Sequence, residues 1–555
     1  MKSTTLAVRA LIRPERHWPR LLCVALLGLA VYASSFHVPF VADDATIVDN
    51  GLLHDLGNYL GSWRGYEALP NRYLAYLTFA LNYRFGGLEV AGYHAVNLAI
   101  HLANAGLVYA LVALAFRTPR LRGSTLAPTA GNVALLAAAL FVAHPLQTGA
   151  VTYVVQRIAS LATLFYLLAA AQYLAWRLRQ EGGSATRAGG AARYLLLLAT
   201  VLLAMKTKEI AFTLPLALVL LELSFFGRPS RRTALALLPL LATLAVIPLT
   251  MLGLRTPAAA LSRAEGVVRA GGQSRLEYLV TQLAVIGTYL RLLVLPVGQN
   301  LDYDYPLYRS PLAPEVAGPL LVILALLGVA ALLYRRTGPA AARPADPAWR
   351  LVAFGICWFF LALAVESSVV PIDDVIFEHR VYLPSAGLFA AASAAALSLL
   401  APLPRPGRRA LAAALAGWVL ALSVATVLRN RVWGSAVSLW ADTAAKSPGK
   451  SRARLNLGKA LVEAGDPSAA IPEYLAAARL DPRSPDARND LGVALFQVGR
   501  YDEAIAQLRT AILLAPDYAD AHLNLGMAYA RKGWTEQANA EMSLGMRLQP
   551  GAGAP

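Results

Sequence analysis

Residues 451–484 read SRARLNLGKALVEAGDPSAAIPEYLAAARLDPRS, and residues 485–518 read PDARNDLGVALFQVGRYDEAIAQLRTAILLAPDY. Aligned, the two stretches place Gly458 over Gly492, Ala470 over Ala504 and Pro482 over Pro516, and the chain beyond adds Gly526, Ala538 and Pro550 in the same 34-residue phase. A unit of that length is a pair of helices that buries its apolar face only by stacking on copies of itself. Small residues at the crossing let the paired helices approach closely, and each proline ends a second helix because its ring cannot continue the hydrogen-bond ladder. Ala436 and Pro448 stand one period before Ala470 and Pro482. A half-repeat therefore precedes three full repeats, and residues 431–550 are expected to form an α-solenoid.

The period and its small residues are those of the tetratricopeptide repeat (TPR), whose stacked helices line a groove that holds a protein segment. A cap that dimerises two chains is the other use of so short an array.

Upstream the chain has another character. Of its 555 residues 57% are hydrophobic and 15% charged, with a mean hydropathy of +0.50. That balance leaves too little polar surface for a soluble domain and predicts an integral membrane protein. The formal net charge of +17 does not point to nucleic acid. The Lys and Arg residues sit in short clusters between apolar stretches, as topology determinants do, and form no single basic face. Cys23 and Cys357 both lie inside apolar runs and frame neither a disulfide scaffold nor a zinc site.

About 11 spans are expected, near 20–37, 93–116, 131–149, 156–178, 193–206, 209–227, 233–254, 316–334, 351–370, 384–402 and 409–428. Arg9, Arg13, Arg16 and Arg20 place the N-terminus in the cytoplasm, followed by a retained first span rather than a cleaved signal at Val31-Tyr32-Ala33. The segment 278–297 decides the rest. As a full crossing it would put Arg335/Arg336/Arg343/Arg350 and Arg405/Arg408/Arg409 outside. As a re-entrant or interfacial helix within a large outer loop, 255–315, it returns both clusters to the cytoplasm, and the solenoid then lies on the outer side. One broken span thus repairs every later loop.

This topology gathers the polar residues on one face: Asp43-Asp44, Arg72, His144, Arg157, Lys206/Lys208/Glu209, Asp302/Asp304, Asp373/Asp374 and Glu378-His379-Arg380. Charges beside a bilayer are costly unless paired or wet, so a one-sided cluster is a candidate site. Asp43 and Asp44 have diverging side chains. One fits a general base with the other holding the loop, or both fit a solvated helix cap. Arg157, Lys206 and Lys208 fit either phosphate neutralisation or snorkelling to head groups, and Arg157 is the harder to dismiss in its apolar run. His94, Asn97 and His101 share one helix face without carboxylates to complete a metal site, so interhelical hydrogen bonding is expected. Glu378-His379-Arg380-Val381-Tyr382-Leu383-Pro384 fits a diphosphate clamp or an internally paired corner.

These stretches together resemble the transmembrane and tetratricopeptide-repeat O-mannosyltransferase family and its bacterial relatives, within the GT-C glycosyltransferases. The resemblance rests on Phe40-Val41-Ala42-Asp43-Asp44, on Leu77-Thr78-Phe79 with Tyr93-His94, Asn97 and His101, and on His144-Pro145 with Tyr153 through Arg157. It continues in Lys208-Glu209, in Tyr289 to Pro296 with Asp302-Tyr303-Asp304, in Glu378 to Pro384, and in the repeats that follow. The likeness implies inverting transfer of a sugar from a polyprenyl-phosphate donor to a protein hydroxyl, with Asp43 or Asp44 as base. Arg157, Lys206, Lys208 and Arg380 would then stabilise the leaving lipid phosphate, supported by Arg72, His94, His144, Glu209, Glu378, His379 and Tyr382. A divalent metal is neither required nor excluded by the motifs. Asn71-Arg72-Tyr73 departs from the Arg-Pro pair that relatives tend to carry, and the array is short beside the solenoids of animal members.

The expected molecule is all-α: a GT-C-like bundle over residues 1–430 followed by the TPR solenoid. The Ala/Leu/Arg-rich composition favours a bacterial inner membrane, with the solenoid in the periplasm holding an acceptor protein. Two rival functions are an oligosaccharide ligase or polymerase, which would use the outer-face Arg and His without the acidic pair, and a non-enzymatic TPR scaffold.

Overall fold

The computed structural model describes residues 14–549 except 62–63, 184–185, 253–273, 340, 342, 369–370 and 373. Arg9, Arg13, Asp373, Pro550 and the first part of the expected outer loop lie outside the described residues. Among those described there is no strand. The chain forms two compact units, one of residues 1–299 with 306–431, the other of residues 300–305 with 432–555.

Among the described residues of the first unit nine helices are long and apolar enough to cross a membrane: His17–His37, Val90–Ala115, Val154–Glu181, Ala188–Met205, Arg231–Met251, Arg275–Val294, Pro314–Arg336, Glu378–Leu400 and Arg405–Val432. A tenth apolar element, Ala127–Ala143 with Pro145–Val151, bends by 54°. The bend has a local cause. Pro145 excludes helical geometry from the residue before it, and His144 is accordingly extended, at φ −77° and ψ 129°. The expected spans at 209–227 and 351–370 are shorter helices, Leu214–Phe225 and Trp349–Leu363. Segment 278–297 is one unbroken helix, Arg275–Val294, opened by a Ser274/Glu277 capping box and the least apolar of the nine. Length alone allows it to cross, so the charges of the flanking loops are what set it apart.

Small residues bring the bundle helices together. A side chain at Gly355 would run into the Gly387 carbonyl, and one at Gly28 would sit 2.8 Å from Val142. A buried ion pair joins two further helices. Arg177 donates to both carboxylate oxygens of Glu222 at 2.9 Å, and the Tyr173 hydroxyl adds a third bond at 2.8 Å. This pairing neutralises two charges, either of which would be costly to bury alone.

The second unit holds the half-repeat helix Ala436–Lys446 and three helix pairs, Ser451–Glu463 with Pro467–Leu480, Pro485–Gln497 with Tyr501–Leu514, and Ala519–Arg531 with Thr535–Leu548. The glycines meet the need expected of them: a Cβ at Gly458 would lie 2.5 Å from the Tyr474 ring, and one at Gly492 2.6 Å from Leu508. A second glycine series, Gly465, Gly499 and Gly533, turns each hairpin at φ 87°, 82° and 79°, the left-handed region that side chains avoid.

Candidate active site

Ala42, Asp43 and Asp44 form a single 3-10 turn after the first long helix. Ala42 has φ +51°, the one positive value at a non-glycine residue among the described residues, so the turn is held in a conformation the chain disfavours by itself. Asp44 supplies the hold. Its carboxylate is wholly buried and accepts from Val41 N–H at 3.0 Å and from Val155 N–H at 2.7 Å, pinning the loop to the start of the helix Arg157–Glu181. Burial raises its pKa to about 7, against the lowering effect of those two N–H groups and of Arg157. Asp43 is exposed, with its carboxylate beside the Tyr153 hydroxyl. Its backbone N–H donates to the Tyr153 hydroxyl at 2.8 Å. The two carboxylates therefore have separate environments, one anchoring and one presented.

Arg157 is placed where no open cleft reaches it. It is fully buried, and its guanidinium donates to Asn97 Oδ1 and Asn82 Oδ1, each at 2.6 Å, to the Thr78 carbonyl at 3.2 Å and to the Tyr93 carbonyl at 2.9 Å, with its carbon 4.5 Å from the Phe79 ring centre. All these partners are neutral. The cation is fixed rather than offered, and the charge it presents to Asp44 is uncompensated by direct contact.

The histidines on the Val90–Ala115 helix act separately. His94 Nε2 donates to the Val38 carbonyl at 2.9 Å, while His101 Nε2 donates to Val142 and its Nδ1 accepts from the Tyr382 hydroxyl at 2.7 Å. Asn97 spends its amide on the Val151 and Val154 carbonyls, 3.1 and 3.3 Å away. This is the interhelical hydrogen bonding expected of them, and among the described residues no three His, Cys, Asp or Glu side chains gather as metal ligands. Tyr382 is likewise a core residue. His144 is buried at the bend, donating from Nε2 to the Leu293 carbonyl at 3.1 Å and so tying the bend to the helix Arg275–Val294.

A second cluster forms where the junction at 206–209 meets the 3-10 turn Glu378–Val381. Arg72 grips Glu209 through two bonds of 3.2 and 3.3 Å. Lys208 pairs with Glu366 at 2.8 Å. Lys206 donates to the hydroxyls of Tyr66 at 2.9 Å and Thr250 at 2.7 Å. Arg380 donates to the Asp374 and Val375 carbonyls, 2.7 and 3.0 Å away, within electrostatic range of Glu366. His379 stacks on Phe377 and feels Lys208, Arg380 and Arg72 together. Glu378 accepts from Gln299 Nε2 at 2.9 Å. Four cations thus face two direct carboxylate partners, Glu209 and Glu366, with Glu378 and Asp374 beside them.

The two clusters lie at one end of the bundle. The short helix Thr148–Val151, whose last carbonyl Asn97 holds, packs against Glu378–Val381, and Gly149 comes within side-chain contact of the His379 backbone. Sequence reasoning missed Glu366 and the Tyr153 hydroxyl. Glu366 carried a signal: it is the one carboxylate in the apolar run from Trp349 to Val370. Tyr153 carried none beyond its place in the Tyr153–Arg157 motif.

Tetratricopeptide-repeat families match residues 426–487, 455–512 and 494–533. Among curated proteins, the chain is 32% identical over 179 residues to "Protein O-mannosyl-transferase Tmtc3" of Drosophila melanogaster, covering 29% of this chain and 19% of that protein. It is 34% identical over 169 residues to human "Protein O-mannosyl-transferase TMTC4", covering 27% and 22%. The matched stretch spans about a fifth of each relative's length. The resemblance read from the motifs is borne out. Among solved structures, "Crystal structure of MamA protein" shares 30% identity over 21% of this chain and 63% of that one, with a TM-score of 0.20.

Proposed function

We propose that the bundle is a glycosyltransferase that moves a sugar from a polyprenyl-phosphate carrier to a protein hydroxyl on the outer face of a bacterial inner membrane. The observation that supports this reading is the division of labour in the acidic pair: a buried Asp44 pins a strained turn and leaves Asp43 exposed. In the reaction, an acceptor Ser or Thr held by the solenoid gives its proton to Asp43. Its oxygen attacks the anomeric carbon from the face opposite the carrier, inverting that centre. The bond from carbon to phosphate oxygen breaks, and the carrier phosphate leaves with the electron pair. Arg72, Lys206, Lys208 and Arg380 are preorganised cations for that developing charge, and the burial of Lys208 and Arg380 strengthens the effect. Arg157 acts on the buried Asp44 through its charge alone, and does not touch the phosphate.

Asp43→Asn tests the base. Removing a general base lowers turnover by roughly 10²–10⁴-fold, so the acceptor's sugar mass should vanish from intact-mass spectra of envelope proteins while the enzyme's abundance stays unchanged. Full glycosylation in that variant would remove Asp43 from the mechanism. Full glycosylation there together with loss in Arg72→Gln or Arg380→Gln would instead support a ligase of lipid-linked oligosaccharide.

A further inference from the structure

The solenoid unit is not built from the C-terminal chain alone. Residues 300–305, contributed from the outer loop more than a hundred residues earlier, belong to the same compact unit as residues 432–555. Ser447 is the hub of this inserted strap. Its hydroxyl donates to the Asp302 carbonyl at 2.7 Å and accepts from Asn300 Nδ2 at 2.8 Å and from Asp304 N–H at 2.9 Å. A hydroxyl has one donor and two acceptor sites, so every one is spent on the strap. Gly449 has no room for a side chain because the Asp304 carboxylate occupies that space.

Asp302 is the electrostatic lock. Only 4% of its side chain is exposed, and its carboxylate receives Lys450 at 2.5 Å and both arms of the Arg452 guanidinium at 2.6 and 2.8 Å. Arg452 lies on the first helix of the first full repeat, the helix that opens the groove. A repeat array fused to a membrane body ordinarily hangs on one connection. This one has chain crossings at 299/300, 305/306 and 431/432. Gln299, the residue before the strap, belongs to the bundle and donates to Glu378 in the second charged cluster.

We propose that residues 300–305 are a latch that makes acceptor delivery depend on the ionic grip of Lys450 and Arg452 on Asp302, and that Asp302 is a positioning residue for transfer. The inference rests on the reading of the solenoid as the holder of the acceptor. Asp302 touches no reacting atom. Its role is to keep residues 300–305 on the half-repeat and the first repeat, where the groove that holds the acceptor begins.

The test uses the full-length protein in lipid nanodiscs. In Asp302→Asn, hydrogen exchange at the Asp304 amide should rise about tenfold, while the Val155 amide, held by Asp44 in the bundle, exchanges as before. The KM for a protein acceptor should rise about tenfold, with kcat and the KM for the lipid donor unchanged. In a background without Cys23 and Cys357, adding Asn300→Cys and Ser447→Cys to Asp302→Asn should restore the acceptor KM when oxidised and lose it again when reduced. Should Asp302→Asn fail to accumulate, Arg452→Gln leaves Lys450 on the carboxylate and must show the same split at about threefold. Unchanged Asp304 exchange overturns the latch, and raised exchange with an unchanged acceptor KM overturns its positioning role. Absence of transfer by the unsubstituted protein sinks the transferase reading and with it the positioning role, leaving exchange alone to decide whether the strap is locked.

Discussion

Two neighbouring carboxylates look alike in the string Ala42-Asp43-Asp44-Ala45, and folding makes them different chemical objects. Asp44 is sealed under Val41 and Val155, and Asp43 is left outside. The separation has a measurable consequence. Asp44 holds its proton to about pH 7 in the folded chain, whereas the ordinary value is 3.8. Between those values the unfolded state ionises first, so stability falls as pH rises through this window, by an upper limit of about 4 kcal/mol. Thermal unfolding of the bundle should therefore drop in midpoint from pH 4.5 to pH 7.5 by several degrees, on the order of magnitude that a few kcal/mol implies. In Asp44→Asn that slope should flatten, and the variant should lose abundance because an amide cannot accept from both N–H groups. An unchanged slope would show that Asp44 is not the buried group the bonding describes.

At the scale of elements, the site is built from interruptions. The apolar periodicity predicts plain helices, and it locates them well at Val90–Ala115 or Pro314–Arg336. Yet the candidate residues Asp43, Asp44, Glu209, Glu378, His379 and Arg380 sit in 3-10 turns at helix ends, Ala42–Asp44, Glu209–Thr213 and Glu378–Val381, and His144 precedes another, Pro145–Gln147. A hydropathy window averages over such turns, so they are invisible to it except where a proline announces one, as Pro145 does. The solenoid is the opposite case. Its 34-residue phase was fully legible because each repeat solves the same packing problem with the same small residue. The space at Gly492 gives a sharp expectation. A Cβ there would lie 2.6 Å from Leu508 and 3.3 Å from the Ala504 carbonyl, so Gly492→Ala should cost about 1–3 kcal/mol. Limited proteolysis of the full-length variant should cut first between the helices Pro485–Gln497 and Tyr501–Leu514. Resistance equal to the parent would mean that the repeat adjusts its crossing freely.

For the molecule as a whole, the loop charges imply a single arrangement across the bilayer. Gly123 is exposed in the basic loop after the second long helix, and Leu513 is 81% exposed on the solenoid. With Cys23 and Cys357 replaced, a membrane-impermeant maleimide applied to intact spheroplasts should label Leu513→Cys and leave Gly123→Cys untouched. Labelling of both from the same side would break the one-sided placement of the polar residues, and with it the transferase reading.

The chain alone determined that there would be an apolar helical body and a repeat array, because both are written in local periods that recur every few residues or every 34. It also pointed to the ionisable residues, since a charge in an apolar run stands out wherever it falls. Only the tertiary structure decided their partners. Lys208 met Glu366 across 158 residues and Arg72 met Glu209 across 137, while Arg157 is bonded to neutral groups, Asn97 and Asn82 among them. A charge's free energy depends on what surrounds it within a few ångströms, and for these residues the surroundings come from segments that no window along the chain can contain.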